Sequence, residues 1–188
     1  MKVSAIIPVH SRRFNAPQII ESLPFDEVIF TDTGEDRIWG RYETMKRAKH
    51  DIIYTQDDDI VNQSLDKLVR SFEENPLAIS YAVREDYLPK IEAKTFGKCQ
   101  LALVGWGSMF DKELLKVFRK YTDSYGVDDL LIREADRAFT VLQGRHHFPV
   151  VSDLRSLEGE TSNQAMSSEA THVQTMSEMV VKCIELCA

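Results

Sequence analysis

Cysteine is scarce in this chain of 188 residues: three, at positions 99, 183 and 187, an odd number without a paired CxxC spacing. That excludes a disulfide-built scaffold and a thiolate zinc site, and it reads as reduced thiols in a cytoplasmic protein. Long apolar runs are missing as well. None approaches the ~20 residues needed to span a bilayer. The opening Met1-Lys2-Val3-Ser4-Ala5-Ile6-Ile7 is cut by Pro8 too early for a signal peptide. No membrane span is therefore expected. Positive charge is in deficit, with 23 Lys and Arg against 30 Asp and Glu, a net charge of −7. Such a balance gives no general attraction to nucleic acid or to anionic membrane, so nucleic acid is disfavoured as a partner. Internal repeats, low-complexity tracts and linker-like stretches are absent too, and the length suits one domain with a sizeable core.

What is present is an alternation of strand and helix signals. Residues 3–9 form an apolar run ending in Pro8-Val9-His10, a first strand. Pro17 opens a short helix that Pro24 breaks. A second run at 27–31 leads into the polar turn Asp32-Thr33-Gly34-Glu35-Asp36, a helix is expected over 39–49, and Ile52-Ile53-Tyr54-Thr55 is a third strand. Asn62 or Ser64 can cap a helix whose apolar face carries Leu65, Leu68, Val69 and Phe72. Residues 77–83 read as a fourth strand. This order predicts an α/β fold with a mostly parallel central sheet flanked by helices. Ligands then bind beyond the carboxyl ends of the strands, where His10, Asp32 and Asp57 fall. Further strands are expected over 100–104 and 148–151. Between and beyond them, helices are expected after Asp111, over 127–142 and from 169, and a loop over 157–168.

The third strand stops in Gln56-Asp57-Asp58-Asp59. Adjacent carboxylates repel unless a cation neutralises them, and an all-oxygen set suits a hard divalent ion such as Mg²⁺ or Mn²⁺. If the chain stays extended, Asp57 and Asp59 point one way and Asp58 the other. A solvated acidic turn capping the next helix is the plainer alternative.

In their ordered combination these residues resemble the nucleotide-sugar-dependent glycosyltransferases of the GT-A fold. Ala5-Ile6-Ile7-Pro8-Val9-His10-Ser11-Arg12 resembles the opening strand and donor loop, and Phe30-Thr31-Asp32-Thr33-Gly34-Glu35-Asp36 the nucleotide-binding Asp turn. Gln56-Asp57-Asp58-Asp59 resembles the Asp-x-Asp metal motif, and Val104-Gly105-Trp106-Gly107-Ser108-Met109-Phe110 the acceptor-side turn. Within that fold the chain is most similar to the exostosin-like glycosyltransferase domain. That likeness rests on Gly40-Arg41-Tyr42, on residues 104–115, on Val127-Asp128-Asp129-Leu130 and, more weakly, on Glu160-Thr161-Ser162-Asn163 with His172.

The resemblance implies a single domain over 1–188, with a nucleotide-sugar half at about 1–85 and an acceptor-side half after it. The expected reaction moves a sugar from a nucleoside diphosphate sugar, with UDP favoured, to an acceptor hydroxyl, and the family leans towards retention. Asp59 is implied as ligand of Mn²⁺ or Mg²⁺ together with His172, with Asp57 and His147 as lesser candidates. Pro8, His10, Arg12, Asp32, Arg41, Asp57 and Asp58 fall on the donor side. Arg41 would grip diphosphate or base through its planar guanidinium, although arginine is also common on helix surfaces. Asp32 suits a base N–H, or an ordinary Asx turn before Gly34. Asp128 and Asp129 are implied beside the reacting sugar and acceptor, one of them serving as base or positioning group; acids at a helix start equally suit its dipole. Trp106 and Gly107 would face the acceptor, which could be a glycan, a protein or a modified nucleobase hydroxyl. A sugar nucleotidyltransferase is the competing enzyme, and a non-catalytic nucleotide-sugar-binding module the competing non-enzyme. The first normally carries a glycine-rich phosphate loop, and Pro8-Val9-His10-Ser11-Arg12 has no glycine.

Overall fold

A computed structural model describes residues 1–9, 12–92, 95, 96, 99–144, 147–157 and 172–187, with 91–100 described by backbone alone. His10, Ser11, His146 and the Glu160–Asn163 segment lie outside the described residues. In chain order the strands are β1 (Val3–Val9), β2 (Glu27–Asp32), β3 (Ile52–Thr55), β4 (Ile60–Asn62), β5 (Ser80–Val83), β6 (Thr95–Phe96), β7 (Cys99–Gln100), β8 (Ser108–Asp111), β9 (Phe148–Val151) and β10 (Leu154–Ser156). The α-helices are α1 (Ala16–Ser22), α2 (Arg37–Met45), α3 (Leu65–Glu74), α4 (Leu88–Glu92), α5 (Phe118–Tyr125), α6 (Asp129–Gln143) and α7 (His172–Glu185).

Six strands form the central sheet in the order β2-β1-β3-β8-β5-β9. Among them β8 runs antiparallel to both neighbours and the other pairings are parallel. The mostly parallel α/β sheet expected from the sequence is thus observed. Alternation along each strand sends consecutive side chains to opposite faces. Ile6, Ile53 and Phe110 enter a core shared with α2, α5, α6 and α7, while Ala5, Ile7, Tyr54 and Met109 enter one shared with α1 and α3. Both faces are covered, which is why β1 reads as a nearly unbroken apolar run. The larger core is centred on aromatic rings. Phe139 of α6 packs at 5.3 Å from Tyr42, 4.8 Å from Phe110 and 5.7 Å from Phe118.

The expected strand at 100–104 is replaced by the short β7 and a 3₁₀ turn at Val104–Trp106, and the central strand lies beyond Gly107 instead. Ser108, Met109 and Phe110 are fully buried because β8 sits between β3 and β5, so polarity alternation was no guide there. Asp111 does cap the 3₁₀ helix at Lys112–Val117, its carboxylate accepting from the Glu113 amide at 2.8 Å. The β4–β10 ribbon, pairing Ile60 with Ser156, was not foreseen.

Pro8 lies within β1, although proline is excluded from most central strands. It is tolerated because the β3 ladder ends at Ile6 and Thr55, whereas β1 and β2 remain paired to Val9 and Asp32. The carboxyl end of β1 therefore projects past its neighbour and opens a notch beside the end of β3. The sheet order also reverses at this place, since β2 lies on one side of β1 and β3 on the other.

Candidate functional site

The three aspartates leave the sheet at that notch, on a turn rather than on a strand. β3 ends at Thr55, and Gln56 is fully buried. Its Oε1 accepts from the Tyr54 hydroxyl at 2.6 Å and its Nε2 donates to the Ile60 carbonyl at 2.5 Å. This one side chain folds residues 57–59 into a tight turn between β3 and β4. The expected alternation of Asp57 and Asp59 against Asp58 does not apply, because the backbone is no longer extended here.

The carboxylates separate by partner. Asp58 is 3% exposed, and its Oδ1 accepts from Arg12 Nε and Nη2, each at 2.8 Å. Arg12 Nη1 reaches Asp59 Oδ2 at 2.8 Å, so one guanidinium bridges two of the three acids. The Asn15 side-chain amide donates to the Asp58 carbonyl at 2.8 Å, tying the segment after β1 to the turn. Asp57 is 40% exposed and pairs with Arg41 of α2. Its own amide donates to the Gly105 carbonyl at 2.7 Å. Gly105 is required by contact, since a Cβ there would lie 2.2 Å from Asp57 Oδ2.

Arg41 is 3% exposed, so it is not an ordinary helix-surface arginine. Its Nη1 also meets Asp136 of α6 at 3.4 Å, and the Tyr42 hydroxyl donates to Asp136 Oδ1 at 2.7 Å. Burial pulls the Arg41 pKa down, but Asp136 and Asp57 outweigh it and hold the guanidinium firmly charged. Burial pushes the Asp136 carboxyl above its ordinary value, with Arg41 opposing. Tyr42 is raised by burial and by the same carboxylate. Asp136 was missed from the sequence, where Arg133-Glu134-Ala135-Asp136-Arg137 reads as a charged helix face. Glu134, an acid on the apolar stripe of Leu131, Ala135 and Ala138, was no signal for it, because residues two apart face different sides of a helix and Glu134 meets Thr175 of α7 instead.

Four carboxylates (57, 58, 59 and 136) thus meet two guanidinium groups (12 and 41), leaving two formal negative charges. Asp58 Oδ2 is buried and has no hydrogen-bond partner among the described residues. An acidic excess with an orphaned buried oxygen is chemistry that suits a hard divalent cation, although among the described residues no three of these carboxylates are arranged as a ready metal cage.

The remaining sequence-derived residues divide. Asp32 is exposed at the end of β2, its Oδ1 accepting from the Gly34 amide at 3.2 Å and its Oδ2 from Arg13 at 2.5 Å. The Asx turn is therefore real. Trp106 and Gly107 follow Gly105 directly, and Gly107 (φ +113°) fits a hollow where a Cβ would meet the Tyr54 hydroxyl at 3.0 Å. His172 and His147 have partners away from the acidic turn. His172 Nδ1 lies 3.3 Å from Glu134 Oε1, between α6 and α7. His147 is buried with Nε2 2.9 Å from the Thr140 carbonyl. Neither contact places a histidine beside Asp59.

Asp128 and Asp129 are not brought to the acidic turn by any described contact. Asp128 is the N-cap of α6, accepting from the Leu131 amide at 2.8 Å, and it also takes the Tyr121 hydroxyl at 3.0 Å and Lys182 at 3.4 Å. Asp129 is exposed in the first turn. Asp136, two helical turns on and about 10 Å along the axis, is the α6 carboxylate that meets Arg41.

No protein-family model and no curated protein sequence matches the chain. Solved structures do. TarS from S. aureus, in complex with UDP-GlcNAc, is similar at a TM-score of 0.55 and 14% identity over 96% of this chain and 66% of its own. Glucosyl-3-phosphoglycerate synthase from Mycobacterium tuberculosis, with Mn²⁺, UDP-glucose and phosphoglyceric acid, gives 0.54 and 12% over 99% and 79%. A mannosyltransferase from Pyrobaculum calidifontis with GDP-Man and Mn²⁺ gives 0.57 and 13% over 98% and 64%. The chain thus spans slightly under two thirds of the first and third of these. Among the described residues no helix is long and apolar enough to cross a membrane. What the chain shares with these three enzymes is their fold, the GT-A arrangement of a mostly parallel sheet between helical layers.

Proposed function

We propose that the chain is a metal-dependent glycosyltransferase that takes a sugar from a nucleoside diphosphate donor, UDP-linked by preference, and passes it to an acceptor hydroxyl. The carrying observation is the acidic turn at the notch beside β1, with its surplus negative charge and the orphaned Asp58 oxygen. Similar structures holding UDP- or GDP-sugars with Mn²⁺ support the reading. Asp59 and Asp57 would hold Mn²⁺ or Mg²⁺. The ion supplies a positive charge against which the departing diphosphate is stabilised.

The chain's own residues set that position. Arg12 and Arg41 orient the carboxylates and keep part of their charge balanced before donor arrives. Asp136 and Tyr42 position Arg41. Asp32 and Pro8 border the notch on the β2 side, where they would face the base and ribose of the donor. Exostosin-like membership and retention belong to the same proposal, and they rest on Gly40-Arg41-Tyr42 and on the α6 N-terminus.

The deciding experiment is a thermal-shift screen of UDP- and GDP-sugars with and without Mn²⁺. At donor concentrations near 100 times Kd, stabilisation of about 2.7 kcal/mol is expected with metal and none after chelation. No metal-dependent stabilisation by any nucleotide sugar would defeat the proposal. Binding without release of nucleoside diphosphate from any acceptor mixture would leave a nucleotide-sugar-binding module.

The two α6 aspartates separate by a second measurement. Asp128→Ala should cost about 1 kcal/mol in urea denaturation, the ordinary loss of an N-cap. Asp129→Asn, at an exposed position, should leave stability unchanged while lowering turnover. Unaltered turnover would remove Asp129 from the reaction.

A further inference from the structure

Just past the carboxyl end of β5 the chain gathers two cations and two aromatic rings. The Arg84 guanidinium lies 5.2 Å from the centre of the Trp106 ring, and Lys90 Nζ lies 4.8 Å from that of Tyr87. The two rings are 5.0 Å apart and tilted by 56°. Arg84, Tyr87 and Trp106 are half-buried and Lys90 is exposed. Glu85 and Asp86, on the same 3₁₀ turn, are exposed.

The cluster is tied to the acidic turn from two sides. Trp106 follows Gly105, whose carbonyl receives the Asp57 amide. Arg84 Nη2 donates to Ser156 Oγ at 2.7 Å. Ser156 pairs with Ile60, the residue after Asp59, and the next amide, Leu157, donates to the Asp59 carbonyl at 2.7 Å. Arg84 is therefore bracketed by the backbone contacts of the first and last aspartates.

Tyr87 and Trp106 pack against the main core and carry the two cations, and the half of each side chain left exposed is apolar surface for the C–H groups of a sugar or polyol. Cations held over rings are partly desolvated and cheap to present to an anion, and a guanidinium matches phosphate or carboxylate bidentately. The neighbouring turn carries surplus negative charge, and the chain as a whole is at −7. That field repels an anionic acceptor unless cations stand beside the reacting centre. A neutral acceptor would need the rings alone.

We infer that Arg84, Lys90, Tyr87 and Trp106 form the acceptor subsite, and that the acceptor is a polyol or sugar bearing a phosphate or carboxylate group. The inference rests on the proposed sugar-transfer reading and names its acceptor class.

The test monitors tryptophan emission of the full chain, with and without UDP and Mn²⁺, during titration with inorganic phosphate, glycerol 3-phosphate, glucuronate and glucose. The three anions should give a saturable change and glucose none. The relative strengths of the anions tell a phosphate monoester from a carboxylate or free phosphate. Trp106→Phe should abolish the signal, since Trp39 is buried among core rings. Arg84→Gln/Lys90→Gln should weaken anion binding about tenfold or more, as loss of charge-assisted contacts requires. Arg84→Lys should retain part of it. UDP–Mn²⁺ affinity should be unchanged in the double variant. An absent response in the wild-type chain, a response unaltered in the double variant, or equal binding of glucose overturns the inference. So does weakening confined to UDP–Mn²⁺, which would make Arg84 a donor ligand. Failure of UDP–Mn²⁺ to bind the wild-type chain tells separately against the transfer reading.

Discussion

Replacing Arg41 with alanine should cost about 3–5 kcal/mol, the range for breaking a buried ion pair by removing one partner. The side chain is 3% exposed and stands between Asp57 and Asp136. Asp136 is itself only 18% exposed and cannot recover its lost partner from water. Since single domains are stable by about 5–15 kcal/mol, such a loss consumes roughly a fifth of the total or more. Urea denaturation should show it, and Arg41→Ala/Asp136→Asn should regain part of it, giving a measurable coupling.

The pH dependence has a definite sign. Burial raises the folded pKa of Asp136 above its ordinary value of 3.8. The folded state therefore holds the proton more strongly than the unfolded chain, and stability falls as pH rises through the folded pKa. Without Arg41 that pKa rises further. Arg41→Ala should thus lie closer to wild type in acid, where Asp136 is protonated, than at neutral pH. A loss below 1 kcal/mol, independent of pH, would mean that the network behaves as an exposed one.

Asp59→Ala should abolish metal-dependent stabilisation by nucleotide sugar while leaving the metal-free melting temperature nearly unchanged. Gly105→Ala should reach the same site from outside. An added Cβ would stand 2.2 Å from one Asp57 oxygen and 2.7 Å from its Cγ, so the carboxylate must rotate away. Its φ is not in the left-handed region, and backbone strain is not the cause. Displacing a supporting group of this kind typically costs about 10–100-fold in metal affinity. Isothermal titration of Mn²⁺ with UDP reads both variants. Full retention of affinity in Gly105→Ala would show that Asp57 takes no part in holding donor or metal.

The local features were readable, and the long-range ones were not. A β-branched run ending in three acids announced the end of β3, and Pro17 announced α1, because periodicity and turn chemistry act over a few residues. Arg41 and Asp136 are 95 residues apart, and nothing near Asp136 in sequence marks its partner. Asp128 and Asp129 attracted attention as a pair at a helix start. Asp128 caps the helix, with Tyr121 and Lys182 completing its partners, while Asp129 stays exposed beside it. β8 escaped notice because a four-residue strand buried on both faces carries no alternation, and the glycine turn before it suggested an ending instead of a beginning. The partner of His172, Glu134 of α6, was likewise out of reach of local sequence, since it lies on another helix.

The fork of Arg12 across Asp58 and Asp59 has a consequence for how the protein comes to be loaded. Many small metalloproteins cannot fold until the ion arrives, because their ligands repel one another in its absence. Here the Arg12 guanidinium is a built-in counter-ion that holds two of the three acids within reach of the notch. For the metal-dependent enzyme proposed above, chain assembly and ion uptake would then be separate events.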